Sequence, residues 1–286
     1  MAGDIQVGRG LLRPSSLSTY ADCPRRFAAR HLRDLVAEAG YDLRPAGARH
    51  VGATVGTAVH AGVAATLRAK QATGDLGNAT EIEDQAEAAL VADWETGVDL
   101  DDTTPNLPVA KMQARRMIRS YRLHLAPVVD PQLVEERLVA DVGDGWQVSG
   151  QGDVLANGNP DERVRDVKTG TRRRPNAPQY GGYVLVYEAH GYTVPEIVED
   201  YLARVRRDAV QPPPVSIEID RRQAVLAAWE VISAIKAGVA EYDRRVADPH
   251  GMEPSGAFLA NPMSSLCGER WCPAWGTKFC RAHAST

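Results

Sequence analysis

Several features are missing from this chain, and each absence narrows what it does. No apolar run reaches the roughly 18 residues that cross a bilayer. The N-terminus, Met1-Ala-Gly-Asp-Ile-Gln6, has no basic stretch leading into an apolar one, so neither a membrane partner nor a signal peptide is expected and the location expected is cytoplasmic. No G-x-x-x-x-G-K-[ST] occurs, which excludes a helicase motor of that type within this sequence. Excess positive charge is absent as well: the formal net charge is -4 and the pI near 6.0, so no global basic field advertises nucleic-acid binding. Internal repeats and low-complexity tracts are not seen. Cysteine is scarce, at 4 in 286 residues, and in the cytosol cysteines serve as metal ligands or catalysts more often than as disulfide partners.

Those four cysteines are placed unevenly. Cys267, Cys272 and Cys280 crowd the C-terminal segment, while Cys23 lies near the opposite end. This spacing predicts a four-thiolate metal site tying the two ends together; zinc and an iron–sulfur cluster both satisfy four thiolates. Basic residues are also clustered, as Arg25-Arg26, Arg115-Arg116, Arg172-Arg173-Arg174 and Arg204, Arg206 and Arg207. Such patches suit either solvated helix faces or a phosphate backbone, and the triple arginine is weighed evenly between them.

Hydrophobic patterning gives the organisation. Residues 1–14 read as a loose leader. A helix is expected from Ser15, kinked or restarted at Cys23-Pro24 because proline cannot donate to the preceding turn. Further helices are expected over Gly52–Ala69, 81–96 and 108–125, with a polar turn at Asp99–Pro105. After Pro131 the texture becomes that of short strands: Leu133–Val142, Gln147–Leu155 and Val164–Lys168, separated by Gly-Asp-Gly and Asn-Gly-Asn-Pro turns. A helix from about Pro178 to His190, strands at Glu196–Val205 and Val215–Ile219, and a long helix Arg221–Val246 complete the pattern. The fold class expected is α/β, a central mixed sheet flanked by helices with a helical insertion ahead of it.

Chemistry concentrates in the strand region. Asp153 ends Gly150-Gln-Gly-Asp153, and a hairpin would bring it beside Asp166 of Asp166-Val-Lys168. Asp166 and Lys168 are two apart on a strand, so they share a face. Paired carboxylates suit Mg2+ or Mn2+, which take oxygen ligands, and a neighbouring lysine can orient water or stabilise charge developing on a phosphoryl group. The Val167 carbonyl would point near the same place. His60 closes Gly56-Thr-Ala-Val-His60 on an otherwise apolar helix, and Gln179 and Tyr183 are four apart, hence neighbours on one helix face. His60, Asp153, Asp166 and Lys168 together are the groups a metal-dependent phosphodiesterase needs.

In order, Gly56-x3-His60, Gly150-x2-Asp153, Asp166-x-Lys168 and Gln179-x3-Tyr183 resemble the motifs of the RecB-like branch of the PD-(D/E)XK nuclease superfamily. The opening Ser16-Leu-Ser-Thr-Tyr-Ala-Asp-Cys23-Pro-Arg-Arg-Phe27 is similar to the family's N-terminal motif, so the likeness runs from about residue 15 to 283. It implies a restriction-endonuclease-like core over 131–220, an N-terminal motif region over 15–60, a helical insertion over 61–130 and a C-terminal helix and cysteine segment over 221–286, all within a single nuclease domain of 1–286. It further implies His60, Asp153, Asp166 and the Val167 carbonyl as ligands of Mg2+ or Mn2+, with Asp153, Asp166, Lys168, Gln179 and Tyr183 as the catalytic set. In a subset that includes CRISPR-associated RecB-like exonucleases, AddB-type subunits and phage exonucleases, one early and three late cysteines hold a [4Fe-4S] cluster. Cys23, Cys267, Cys272 and Cys280 match that distribution, although the late spacing is wider than is common there.

The function these readings imply is hydrolysis of DNA by a metal-dependent exonuclease acting on single-stranded ends, in recombination, repair or replication, with a helicase or recombination partner supplying any unwinding. The alternatives are a nuclease that trims spacer precursors in CRISPR adaptation, and a non-catalytic DNA-binding scaffold on the same metal-stapled fold. Trp271 and Trp275 are expected to pack around the cysteine site, with stacking on bases as the alternative.

Overall fold

The structure, a computed structural model, describes residues 10–45, 47–158, 162–248 and 250–281. The N-terminal half is helical around three short strands: β1 (Leu11–Leu12), α1 (Pro14–Asp22), α2 (Pro24–His31), α3 (Arg33–Glu38), β2 (Arg49–His50), α4 (Val51–Thr73), α5 (Ala79–Trp94), β3 (Val98–Asp99) and α6 (Leu107–His124). Strands then dominate: β4 (Pro131–Val134), β5 (Arg137–Asp141), β6 (Gln147–Gln151), β7 (Val154–Ala156) and β8 (Arg163–Gly170). Helix α7 (Ala177–Glu188), β9 (Glu196–Ala203), β10 (Val215–Ile219), α8 (Arg221–Val246) and a 3-10 turn, Pro254–Ala257, follow.

Proline and glycine punctuate this order as their chemistry requires. Pro14 and Pro24 occupy first helical turns, where the missing N–H costs nothing. The break expected at Cys23 is therefore a helix boundary, with Cys23 in extended conformation between α1 and α2. Gly74, at φ +83°, closes α4 in the left-handed conformation that glycine adopts readily. Residues 1–9 of the expected leader lie outside the described residues. Its remainder is not loose: Leu11 and Leu12 pair in parallel with Gln147 and Val148, and Leu12 is fully buried.

The central sheet runs β10-β9-β8-β7-β4, antiparallel except for the parallel β8–β9 pair, which α7 connects. A second sheet, β1-β6-β5, stands apart from it. This corrects the two continuous strands expected over Leu133–Val142 and Gln147–Leu155. Each is cut in two, with its first and second halves in different sheets. The cuts coincide with Glu135, at φ +49°, and with the bend at Gly152-Asp153. A Cβ on Gly152 would lie 2.5 Å from the Tyr187 hydroxyl, so only glycine fits where the chain passes under α7.

The helices cover the sheet by burying apolar faces on both sides. Val51, Val55, Val59, Val63 and Leu67 of α4 join Met117, Ile118 and Tyr121 of α6 against Val154, Val167 and Leu202. On the other face, Tyr180, Tyr183, Val184 and Tyr187 of α7 pack on Leu155, Val164 and Ile197. Helix α8 is long and apolar enough by composition to cross a membrane, but Ala228, Ile232, Ile235 and Val239 are buried in the core that contains Leu17 of α1 and Val186 of α7. Backbones approach closely there: a Cβ on Gly181 would lie 2.0 Å from the Ala224 carbonyl oxygen.

Candidate active site

The site forms where one strand stops short. Strand β7 pairs with β8 only at Arg163, Val164 and Arg165, whereas β9 follows β8 to Gly170. From Asp166 onward, one edge of β8 has no strand beside it. Asp153, immediately before β7, fills the gap with its side chain: Oδ2 accepts the Val167 N–H at 2.7 Å. Its carbonyl also accepts the Glu135 N–H at 3.1 Å, which pins together the two points where the chain changes sheets.

Helix α4 brings His60 to the same place. A Cβ on Gly56 would lie 2.9 Å from Thr169 Oγ1, so the glycine lets α4 approach β8 closely. One turn later His60 Nδ1 is 2.9 Å from Asp153 Oδ1. Lys168 Nζ lies 2.6 Å from Asp166 Oδ2. That contact is an ion pair, and among the described residues neither carboxylate oxygen of Asp166, both buried, has a further hydrogen bond. His60, Asp153, Asp166 and Lys168 are thus brought together as the motif order predicts.

Burial dominates the protonation of this cluster. It pushes the Asp166 carboxyl up to about 6, helped by the like charge of Asp153 and opposed by Lys168 and His60. Asp153 is buried too, but His60, Lys168 and the Val167 N–H outweigh that and hold its pKa below the usual value. For Lys168, burial favours the neutral amine, yet the two carboxylates win and keep it an ammonium. His60 likewise is raised, since Asp153 overcomes its desolvation.

Among the described residues, no group of three or more His, Cys, Asp or Glu is set to hold a metal ion. The reason is visible in the contacts. His60 and Asp153 bond each other, and Lys168 sits on Asp166, so these side chains satisfy one another instead of converging on one point. What the structure shows of Val167 is its N–H donor. The chemistry of the set still fits a hard divalent cation, because Asp166 presents two buried oxygens with no partner beyond Lys168 among the described residues.

Gln179 and Tyr183 lie behind the carboxylates and are nearly buried. Gln179 Nε2 donates to the Tyr183 hydroxyl at 2.8 Å, and its Oε1 accepts from Asn176 at 2.6 Å. Burial, then Asp166 and Asp153, push the Tyr183 phenol well above its usual pKa. This pair supports the site from within and does not line its opening.

Two acidic residues escaped the sequence reading. Glu199 is paired in register with Asp166 across β8–β9 and is fully buried. It accepts from the Tyr180 hydroxyl and, at 2.6 Å, from Arg173 Nε, and the Tyr180 ring lies 5.8 Å from Lys168 Nζ. The signal was a glutamate in the middle of an apolar strand. Glu135 lines a cleft of about 500 Å3 together with His60, Lys168, Gly56 and Thr57, and its Oε2 meets Arg68 at 3.0 Å. Its left-handed backbone is unusual for a non-glycine residue and is not readable from sequence.

The basic clusters divide by use. Arg25 donates to the Phe258 and Phe279 carbonyls, Arg26 pairs with Asp22, Arg115 with Glu83, Asp84 and Glu87, and Arg204 with Asp101. Those are ties within the fold. Arg172 and Arg174 lie exposed beyond the end of β8, and Arg206 and Arg207 beyond the end of β9.

Cys23, Cys267, Cys272 and Cys280 line one cavity between α1–α2 and the C-terminal segment. Its free space is about 10 Å3, roughly one water. Burial raises the Cys267 and Cys272 thiols, and the other cysteines raise them further. The Asn261 N–H points at Cys23 Sγ at 3.4 Å.

The sequence model described as the PD-(D/E)XK nuclease superfamily matches residues 12–276. Among solved structures, a candidate exonuclease from Eubacterium rectale superposes with a TM-score of 0.53 at 11% identity, covering 91% of this chain and 87% of that one. That likeness is one of fold. LHK-Exo in complex with dAMP reaches a TM-score of 0.31 at 13% identity, over 67% of this chain and 96% of that one. No curated protein matches the chain.

Proposed function

Because the chain belongs to the PD-(D/E)XK nuclease superfamily, we propose that it is a metal-dependent deoxyribonuclease that removes nucleotides from single-stranded DNA ends. One observation carries the reading. The Asp166 carboxylate is buried with Lys168 as its ion-pair partner and the His60–Asp153 pair in the same cluster, and among the described residues neither of its oxygens has a further hydrogen bond. A fold retains so costly a group where a cation or reacting species satisfies it.

His60, Asp153, Asp166 and the Val167 carbonyl would hold Mg2+ or Mn2+. When bound, the ion supplies Lewis-acid polarisation of a phosphoryl oxygen and lowers the pKa of a water ligand. The chain's own groups do the rest. Lys168 keeps a positive charge beside Asp166, over the Tyr180 ring and within the field of Glu199, where it can orient water or stabilise charge on a phosphoryl oxygen. Gln179 fixes Tyr183 behind Asp166, and Asn176 fixes Gln179. With no nucleotide-hydrolysing motor motif in the sequence, any duplex opening falls to a separate helicase or recombination partner. The test is cleavage of end-labelled single-stranded DNA with Mn2+ or Mg2+. Asp166→Asn and Lys168→Ala are expected to stop cleavage while DNA binding persists; a wild-type protein that binds DNA but never cleaves it would leave a binding scaffold as the better reading.

The four cysteines, which line one cavity but are not grouped to hold a metal ion among the described residues, are read as the ligands of a structural [4Fe-4S] cluster that joins the chain's two ends. Anaerobic purification followed by absorbance, iron and sulfide analysis decides between this, a single zinc, and free thiols.

A further inference from the structure

A second cavity, of about 550 Å3, opens beside the reactive cleft and shares Ala53 with it. It lies between the end of α2, the loop before α4 and the cysteine-bearing segment. Its lining is cationic in a specific way. Arg49 and Arg270 are offset by Asp93 and Asp99, and Glu269 is taken by Arg44. Arg30, by contrast, is exposed with no hydrogen-bond or ion-pair partner among the described residues, where Arg33 bonds only the Ala29 and Arg44 carbonyls. Two positive charges are therefore left over at this wall. Trp271 supplies an aromatic surface, with the Arg270 guanidinium 4.6 Å from its ring centre and the His50 ring at 5.8 Å. His50 also caps α4, so the positive end of a 23-residue helix faces the same region.

We infer that this cavity is a nucleotide subsite for the strand being cut, with its phosphate at Arg30 and Arg33 and its base against Trp271 and Arg270. Unpaired guanidinium groups beside an indole are the pairing that holds single strands without reading sequence. Placement fits a strand that continues past the point of cleavage: His50 precedes His60 by ten residues of α4, about 15 Å along the helix axis. The inference rests on the nuclease reading for the identity of the strand, but the site itself is testable without catalysis.

The experiment is fluorescence anisotropy of a labelled single-stranded oligonucleotide with the full-length protein in EDTA, across a salt series. Arg30→Ala is expected to weaken binding about fivefold or more and to lower the salt slope by about 0.7. Trp271→Ala is expected to weaken binding by a similar factor and leave the slope unchanged. Metal-dependent hydrolysis of bis(p-nitrophenyl) phosphate by the wild type reads the cleft separately from the subsite. Unchanged DNA affinity in Arg30→Ala overturns the subsite, and since Arg30 is exposed that result does not depend on folding. A wild type that binds DNA but never hydrolyses the diester would defeat the nuclease reading and leave the subsite standing.

Discussion

The Asp153 carboxylate accepts the Val167 N–H at 2.7 Å at the point where β7 ends and its ladder stops. One side chain thus completes the sheet edge with Oδ2 while Oδ1 holds His60. These two uses separate under mutation. Asp153→Ala is expected to leave a buried N–H unpaired and cost about 1–3 kcal/mol in chemical denaturation. Asp153→Asn, whose amide oxygen can still accept that N–H, should recover most of the stability. Both should lose Mn2+ binding in calorimetry. Equal stability of the two variants would show that the strand-completing bond is unimportant.

Asp166 should behave oppositely in stability. Its buried carboxylate has no partner beyond Lys168 among the described residues, and burial raises its pKa to about 6. Asp166→Asn is expected to lower cleavage by about 100-fold or more without lowering the melting temperature of the metal-free protein, as at sites where function is held against stability. A clear fall in melting temperature would mean that the Lys168 ion pair matters more to folding than the desolvated charge.

These contrasts indicate what the sequence could and could not reveal. The order of helices was readable, and so was the clustering of His60, Asp153, Asp166 and Lys168, because periodicity and motif spacing are local properties. Helix α8 matches its expected limits, and Asp166 and Lys168 share a face as strand alternation requires. The two broken strands were not readable. Leu133–Val142 alternates well enough to pass as one strand, and only the left-handed backbone of Glu135, imposed by the change of sheet, splits it. Glu199 was hidden for a related reason. Its neighbour across the sheet is Asp166, 33 positions earlier by number, and no local pattern signals that register.

Glycines give a further test, of packing against site geometry. At Gly181 a Cβ would meet the Ala224 carbonyl at 2.0 Å, a backbone atom that cannot turn aside. Gly181→Ala is expected to prise α7 from α8 and destabilise by about 3 kcal/mol or more. At Gly56 the contact is the Thr169 hydroxyl at 2.9 Å, which can rotate. Gly56→Ala should therefore fold with a smaller loss but shift His60, giving weaker Mn2+ binding. The idea fails if Gly56→Ala binds Mn2+ as wild type does, or if Gly181→Ala is as stable as Gly56→Ala.

Acid sensitivity should trace in part to His31, far from the carboxylates. Its ring packs on Phe27, and burial, with Arg30, Arg13 and Arg26 around it, lowers its pKa to about 4. In the unfolded chain it takes up a proton near 6.5. Between those values the unfolded state binds more protons than the folded one, so stability falls as pH drops from about 6.5 to about 4, with no contribution above that window. The full loss from this residue is at most about 3 kcal/mol. Denaturation of His31→Gln at several pH values should give a shallower fall across this window than wild type, with the two curves parallel above pH of about 7. Identical slopes below 6.5 would place the acid sensitivity elsewhere.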